Sequence, residues 1–172
     1  PARSRADVLI DTTTLSPHEL RAEVTRYFAQ DLSHTMAISV QSFSYKRGTP
    51  SGIDMMFDCR FLRNPHWDQV LRSENGLHAG VQAYVAEDKN FAPFRKQILD
   101  LTDFLIPVHM AEGRSHLAIG FGCTGGKHRS VTMVEMLQKD LQLRGWHVTI
   151  RHRELVEQTA HTDISKSKVM HS

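Results

Sequence analysis

The densest chemistry in the chain lies in GFGCTGGKHRS, residues 120–130. Cys123, five intervening residues and Arg129 followed by Ser130 reproduce the spacing of the phosphate loop in Cys-dependent phosphatases. Gly125 and Gly126 let the backbone turn with its amides inward, since glycine tolerates angles that other residues avoid. A helix starting near Arg129 would add free N–H groups and the positive end of its dipole. Lys127, His128 and Arg129 add side-chain charge, and an arginine can hold a phosphate through two parallel hydrogen bonds. The whole loop, from Cys123 and Thr124 to Ser130, suits an anion. No Gly-x-x-x-x-Gly-Lys-Ser/Thr pattern occurs in the chain, which argues against nucleotide hydrolysis by a Walker loop.

Two uses of the loop follow. Hydrolysis of a phosphate ester would take Cys123 as nucleophile and would need an acid for the leaving group. Asp68, in NPHWDQ, is the first candidate acid and Asp58 the second. Binding alone asks nothing of Cys123, which could be an inert buried thiol at the end of a strand.

A second constellation is FDCRFLRNPHW, residues 57–67, with Asp58, Arg60, Arg63, Asn64, His66 and Trp67 between a strand end and a loop. Asn64 and His66 can bond sugar hydroxyls. Arg60 can meet a phosphate or pair with Asp58. His66 follows Pro65 in an irregular segment, where a polar ring more often serves function than packing. Two further basic clusters are Lys46-Arg47 before a Gly turn and Arg151-His152-Arg153 at the last strand end. With Lys127 and Arg129 they could form one basic face against a phosphate backbone. Period-two alternation places Arg151 and Arg153 on the opposite sheet face from His152.

These groups need a scaffold. DVLIDTT, residues 7–13, reads as a short buried strand. Ser16-Pro17-His18-Glu19 is a capping box with proline at the first helical position, opening a helix over 17–29. TMAISVQSF (35–43) is a strand, SYKRGTPSG (44–52) a loop and DMMFDCRF (54–61) another buried strand. Residues 62–76 form a long irregular connection. Phe91, Phe94, Ile98, Leu101, Leu105 and Val108 recur at helical spacing and predict a helix over 90–109 with that stripe inward. SHLAIGFG (115–122) is a strand, 129–144 a helix burying Val131, Val134, Leu137 and Leu141, and Gly145 its cap. HVTIRHR (147–153) is the last strand, and the polar segment after 155 a loose tail. Met55, Met56, Met133 and Met136 fill core. Strands alternating with helices imply an α/β fold: a three-layer sandwich with a mainly parallel sheet and the phosphate-binding loop at the C-terminal end of a strand.

The chain has 172 residues, 40% of them apolar, enough for one domain with a full core. Its formal charge of +2 is too small to argue for nucleic acid by itself. No apolar run reaches the roughly 18 residues of a membrane helix. Cys59 and Cys123 belong to no Cys-x-x-Cys pair, so structural zinc is not expected, and both read as reduced cytoplasmic thiols. The chain does not open on Met, and is read as a piece of a longer protein.

VLIDTTTLSPHELR, SFSYKRGTPSGIDMMFDCRFLRNPHW, GCTGGKHRSV and the closing RHR together resemble the C-terminal domain of the RapZ family, bacterial RNase adapter proteins. The resemblance spans residues 8–153 and implies a domain over 8–155, with 1–7 a linker from an N-terminal nucleotide-binding domain and 156–172 a polar tail. It implies a regulatory domain, not an enzyme, that binds RNA, senses glucosamine-6-phosphate, self-associates as a dimer or tetramer and presents a small RNA to RNase E. No cofactor is implied for this domain. Carried over, the ligand-binding set is Arg60, Asn64, His66 and Cys123 through Ser130, with His66 the sugar-phosphate sensor. The RNA-binding set is Lys46, Arg47, Lys127, Arg129, Arg151, His152 and Arg153. Arg47 stands where many members have His, and the segment after RHR is less basic than in enterobacterial members. An alternative ligand is a nucleotide sugar.

Overall fold

A computed structural model describes residues 12, 13, 15–17, 19, 20 and 36–155. The chain divides into two compact units, Pro1–Thr35 and Met36–Ser172. In the first, the capping box is closed as its residues predict. The Ser16 amide donates to Glu19 Oε2 (2.8 Å) and the Glu19 amide to Ser16 Oγ (3.3 Å), opening a helical turn at Pro17. Most of the strand expected over 7–13, most of the helix over 17–29 and the tail from 156 lie outside the described residues; residue 12 is irregular and residue 13 lies in a turn.

In the second unit, stretches rich in β-branched and apolar residues pair side by side. They are β1 (Ala37–Ser44), β2 (Met55–Asp58), β3 (His116–Cys123) and β4 (Val148–His152). All pairings are parallel, in the order β2-β3-β1-β4. With its flanking helices the sheet is an α/β sandwich. β3 lies inside and is buried from Leu117 to Cys123. β2 is an edge strand, shorter than expected and half covered, with Met56 41% exposed, which corrects the reading of 54–61 as a buried strand. An edge strand has only one covered neighbour, so its composition alone does not bury it.

Three helices follow: α1 (Ala79–Ala86), α2 (Phe91–Ala111) and α3 (Arg129–Leu143). α3 buries Val131, Val134, Leu137 and Leu141 as their spacing predicts. It ends in a Schellman arrangement: the Trp146 amide bonds Leu141 O, the Gly145 amide bonds Gln142 O, and Gly145 has φ 85°. α2 is rotated from the expected stripe. Phe91 and Ile98 are buried, but so are Thr102 and Ile106, while Leu101 and Val108 are about 40% exposed. Thr102 can turn inward because its hydroxyl bonds Leu99 O within the helix. α1 has only Val81 and Val85 as buried anchors, too short a pattern to be read from sequence.

Phe57 of β2 stacks on Phe121 of β3 and meets Phe94 of α2 edge-on, while Cys123 touches Ser130 of α3. Both helices therefore cover the side of β3 that carries its odd-numbered residues. On the other side Phe43 and Tyr45 lie over Gly122, where a Cβ would intrude on both rings.

Candidate anion-binding cleft

β3 delivers Cys123 to the C-terminal edge of the sheet, and α3 begins six residues later. Gly126 turns the loop with φ 66°, and a Cβ there would press on the Glu154 carboxylate and stand 2.9 Å from the Ser44 amide. Glu154 is buried. Its Oε1 accepts the Ser44 amide (3.0 Å) and Arg153 Nε (2.8 Å). Ser44 Oγ in turn donates to Thr124 O (2.7 Å) and caps the 3-10 turn Tyr45–Arg47 by accepting from the Lys46 amide. The loop is thus strapped to the end of β1, and the same strap presents Lys46. Behind the loop, Cys123 Sγ lies 3.1 Å from Ser130 Oγ, both atoms buried.

Arg129 works inward as well as outward. Only 5% exposed, it donates through Nη1 to Arg60 O (2.7 Å) and Leu62 O (3.2 Å) and through Nη2 to Thr124 Oγ1 (3.4 Å). Those bonds fix segment 60–62 against the loop and bring the Asn-Pro-His-Trp turn, Pro65–Trp67, to the cleft wall. Asn64 Oδ1 caps that turn through the His66 amide, and Arg72 Nε holds it from behind by donating to His66 O (2.9 Å). The connection then returns to the loop, where the Gly76 amide donates to Lys127 O (2.8 Å). A Cβ on Gly76 would stand 2.7 Å from Val131 Cβ and 2.8 Å from the Thr132 amide nitrogen, so only glycine lets the two backbones meet.

The resulting cleft has a volume of about 550 Å³. Cys123, Thr124, Gly125, Lys127, His128 and Arg129 form its floor; Lys46, Asn64, His66, Trp67 and Arg72 form its walls. Four cationic side chains face it and no carboxylate lines it. Burial pushes the His128 ring below the ordinary imidazole range, against the opposing pull of the Glu74 and Arg72 backbone. Lys46, Arg72, Lys127 and Arg129 supply the cleft's lysine and arginine charge. Neither expected acid is among the residues that line the cleft. Asp68 Oδ1 accepts the Val70 and Leu71 amides, and Asp58 is bonded to Arg60, whose guanidinium holds the carboxyl below its usual range.

A concave, cationic site at strand C-termini, built from two distant motifs, can be set beside known proteins. The model of the RapZ C-terminal domain matches residues 36–156. The chain belongs to that family. It is 54% identical over 160 residues to a nucleotide-binding protein of Cereibacter sphaeroides, covering 93% of this chain and 53% of that one. A nucleotide-binding protein of Dinoroseobacter shibae is 56% identical over 155 residues, 90% of this chain and 52% of that one. One of a Jannaschia species is 53% identical over 155 residues, with 90% and 49% covered. The chain spans about half the length of these relatives.

Within this RapZ C-terminal domain the residues singled out in the sequence divide. Asn64, His66, Cys123, Thr124, Gly125, Lys127, His128 and Arg129 meet in the cleft, and Lys46, assigned to RNA, joins them. Gly126 and Ser130 shape the loop from behind. Arg60 points away, paired with Asp58 and stacked over the Tyr45 ring at 4.3 Å. Arg47 is exposed on the 3-10 turn. Arg153 lies beyond β4, donating to Ser44 O and Gly48 O, so the strand alternation that was to set its direction does not apply. His152 is turned inward between Ser42 Oγ (2.9 Å) and Glu135 Oε1 (3.0 Å). Arg151 is exposed beside Ser39, Gln41 and Thr149 in a separate shallow hollow. Sequence reasoning missed Arg72, Gly76, Ser44 and Glu154. Only Gly76, in Asn-Gly, carried a local signal, and it fell within the segment read as one long irregular connection.

Among the described residues no helix is long and apolar enough to cross a membrane.

Proposed function

We propose that this domain is a regulatory binding module that senses an amino-sugar phosphate, glucosamine-6-phosphate, and binds RNA on the basic rim of the same cleft. The observation that carries the reading is the meeting of His66 with Lys127 and Arg129 across one cleft. The phosphate sits against the Thr124–Lys127 backbone and the α3 terminus, where a dipole and free amides favour negative charge. The sugar lies toward Asn64 and His66, and Lys46 and Arg72 close the electrostatic cage. RNA phosphates use Lys46, Lys127 and Arg47 at the rim, so sugar phosphate and RNA compete. Arg151 serves RNA only if the strand reaches the other sheet face. In the longer protein this competition would govern delivery of a small RNA to RNase E, and self-association would use the exposed Leu101, Phe104 and Val108 of α2.

Turnover is not part of this reading. Hydrolysis would need an acid for the leaving group, and neither Asp58 nor Asp68 lines the cleft. A second ligand class, a nucleotide sugar, is favoured by Trp67. It is 76% exposed at the cleft wall and offers a face for a base to stack on. The relatives are named nucleotide-binding proteins, which agrees with that class, but their chains are about twice as long.

The test is fluorescence anisotropy of a labelled hairpin RNA titrated with the domain at two salt concentrations, with and without glucosamine-6-phosphate. Displacement of RNA by the sugar phosphate, weakened in Lys127→Ala, is expected. RNA affinity unchanged at saturating sugar phosphate would overturn the shared site.

A further inference from the structure

The chain has two cysteines, 64 positions apart, and the fold sets them side by side under the cleft. β2 and β3 run parallel with Phe57 facing Phe121 and Asp58 facing Gly122. The ladder continues one step past the strand end, where the Cys59 amide donates to Gly122 O at 2.8 Å. In a parallel ladder that bond makes Cys123 the partner of Cys59. Phe57 and Phe121, two residues earlier on each strand, stack face to face at 5.5 Å. Side chains two residues on share their face, so Cys59 and Cys123 project together on the same side. Neighbouring strands lie about 4.8 Å apart, within the roughly 4.4–6.8 Å between Cα atoms that a disulfide spans.

The two thiols differ in access. Cys123 lines the cleft; Cys59 is fully buried. Burial, and after it the neighbouring Cys123, push the Cys59 thiol well above its ordinary range. Both are free in this structure.

We propose that Cys123 and Cys59 form a peroxide-sensitive pair, in which Cys123 is oxidised through the cleft and Cys59 resolves it as a disulfide. The Cys123 thiolate attacks the distal peroxide oxygen. The O–O bond breaks, the leaving oxygen takes a proton, and Cys123 becomes a sulfenic acid. Cys59 sulfur then attacks Cys123 sulfur, the S–O bond breaks, and the hydroxyl leaves as water with the Cys59 proton. Two thiols are oxidised by two electrons and one peroxide is reduced. Because Cys123 reaches solvent only through the cleft, the reaction is slow. The bridge would remove Cys123 from Ser130 and tie the loop's first residue to the end of β2. The inference does not depend on which anion the cleft holds.

The test is intact-mass spectrometry of the native 172-residue chain after hydrogen peroxide, alkylation of remaining thiols and a peptide map. The expected result is loss of two hydrogens, a linked peptide pair containing Cys59 and Cys123, and reversal by dithiothreitol. In Cys59→Ala the same treatment should add oxygen to Cys123, trapped as a dimedone adduct. Methionine oxidation is read separately in the peptide map, and oxygen located on Cys123 or Cys59 of the wild type without a link between them would overturn the proposal. So would Cys59 and Cys123 both remaining fully alkylatable in the native chain at peroxide levels that oxidise them in the urea-unfolded chain. The wild-type map alone decides the matter should Cys59→Ala not fold.

Discussion

Arg129 Nη1 donates to the backbone carbonyl of Arg60 at 2.7 Å, joining two motifs 69 positions apart. The arginine whose spacing suggests a phosphate grip is therefore also the clamp that builds the cleft wall. Its Nη1 is spent on carbonyls at Arg60 and Leu62, which leaves Nη2 the cleft-side group.

Arg129→Ala should cost more than a lost ligand contact. It strands two carbonyls that a charged donor satisfies, a loss of about 3 kcal/mol in stability. Urea denaturation checks this, and phosphate binding should vanish at the same time. An Arg129→Ala chain as stable as wild type would show that the clamp is not structural.

Gly76→Ala places a methyl group against the His128 carbonyl and Val131. Neither neighbour is a flexible chain end, so the connection must back away from the loop. A destabilisation of about 1–3 kcal/mol is expected. Gly125→Ala meets open space and should be near neutral by the same thermal melt.

His128 supplies a pH dependence. Its folded pKa is depressed by burial, so its neutral form contributes stability above the unfolded value of about 6.5. That contribution is lost as pH falls through the folded value. The Tm advantage of wild type over His128→Gln should shrink from pH 7.5 downward into the acid range. A gap that widens on acidification would reverse the sign and contradict a neutral buried ring.

Aryl phosphate turnover should not exceed background, and Cys123→Ser should leave it unchanged. Asp58 and Asp68 are committed to Arg60 and to turn amides, and neither lines the cleft. A Cys123-dependent rate would restore the phosphatase reading.

Much of this was legible because it rests on local rules. Ser16 and Glu19 cap each other, α3 follows its four-residue stripe, and the glycines, charges and helix start of GCTGGKHRS meet at one cleft. What escaped depends on contacts between distant segments. No local pattern says that Glu154 buries its carboxylate under Gly126, that Arg72 pins His66, or that Gly76 must pass close to Val131. The α2 stripe was misplaced for a related reason. Leu101 and Val108 obey helical spacing, but the sheet lies on the side of Thr102 and Ile106. Arg153 was read by strand alternation, which ended one residue too early to govern it.

The most direct test of the central claim is calorimetry of this domain with glucosamine-6-phosphate, beside inorganic phosphate, UDP-N-acetylglucosamine and the His66→Ala variant. The account predicts that glucosamine-6-phosphate binds more tightly than phosphate and that His66→Ala removes the difference. Affinity no better than phosphate, or unchanged by His66→Ala, would contradict a sugar-phosphate sensor made from both motifs.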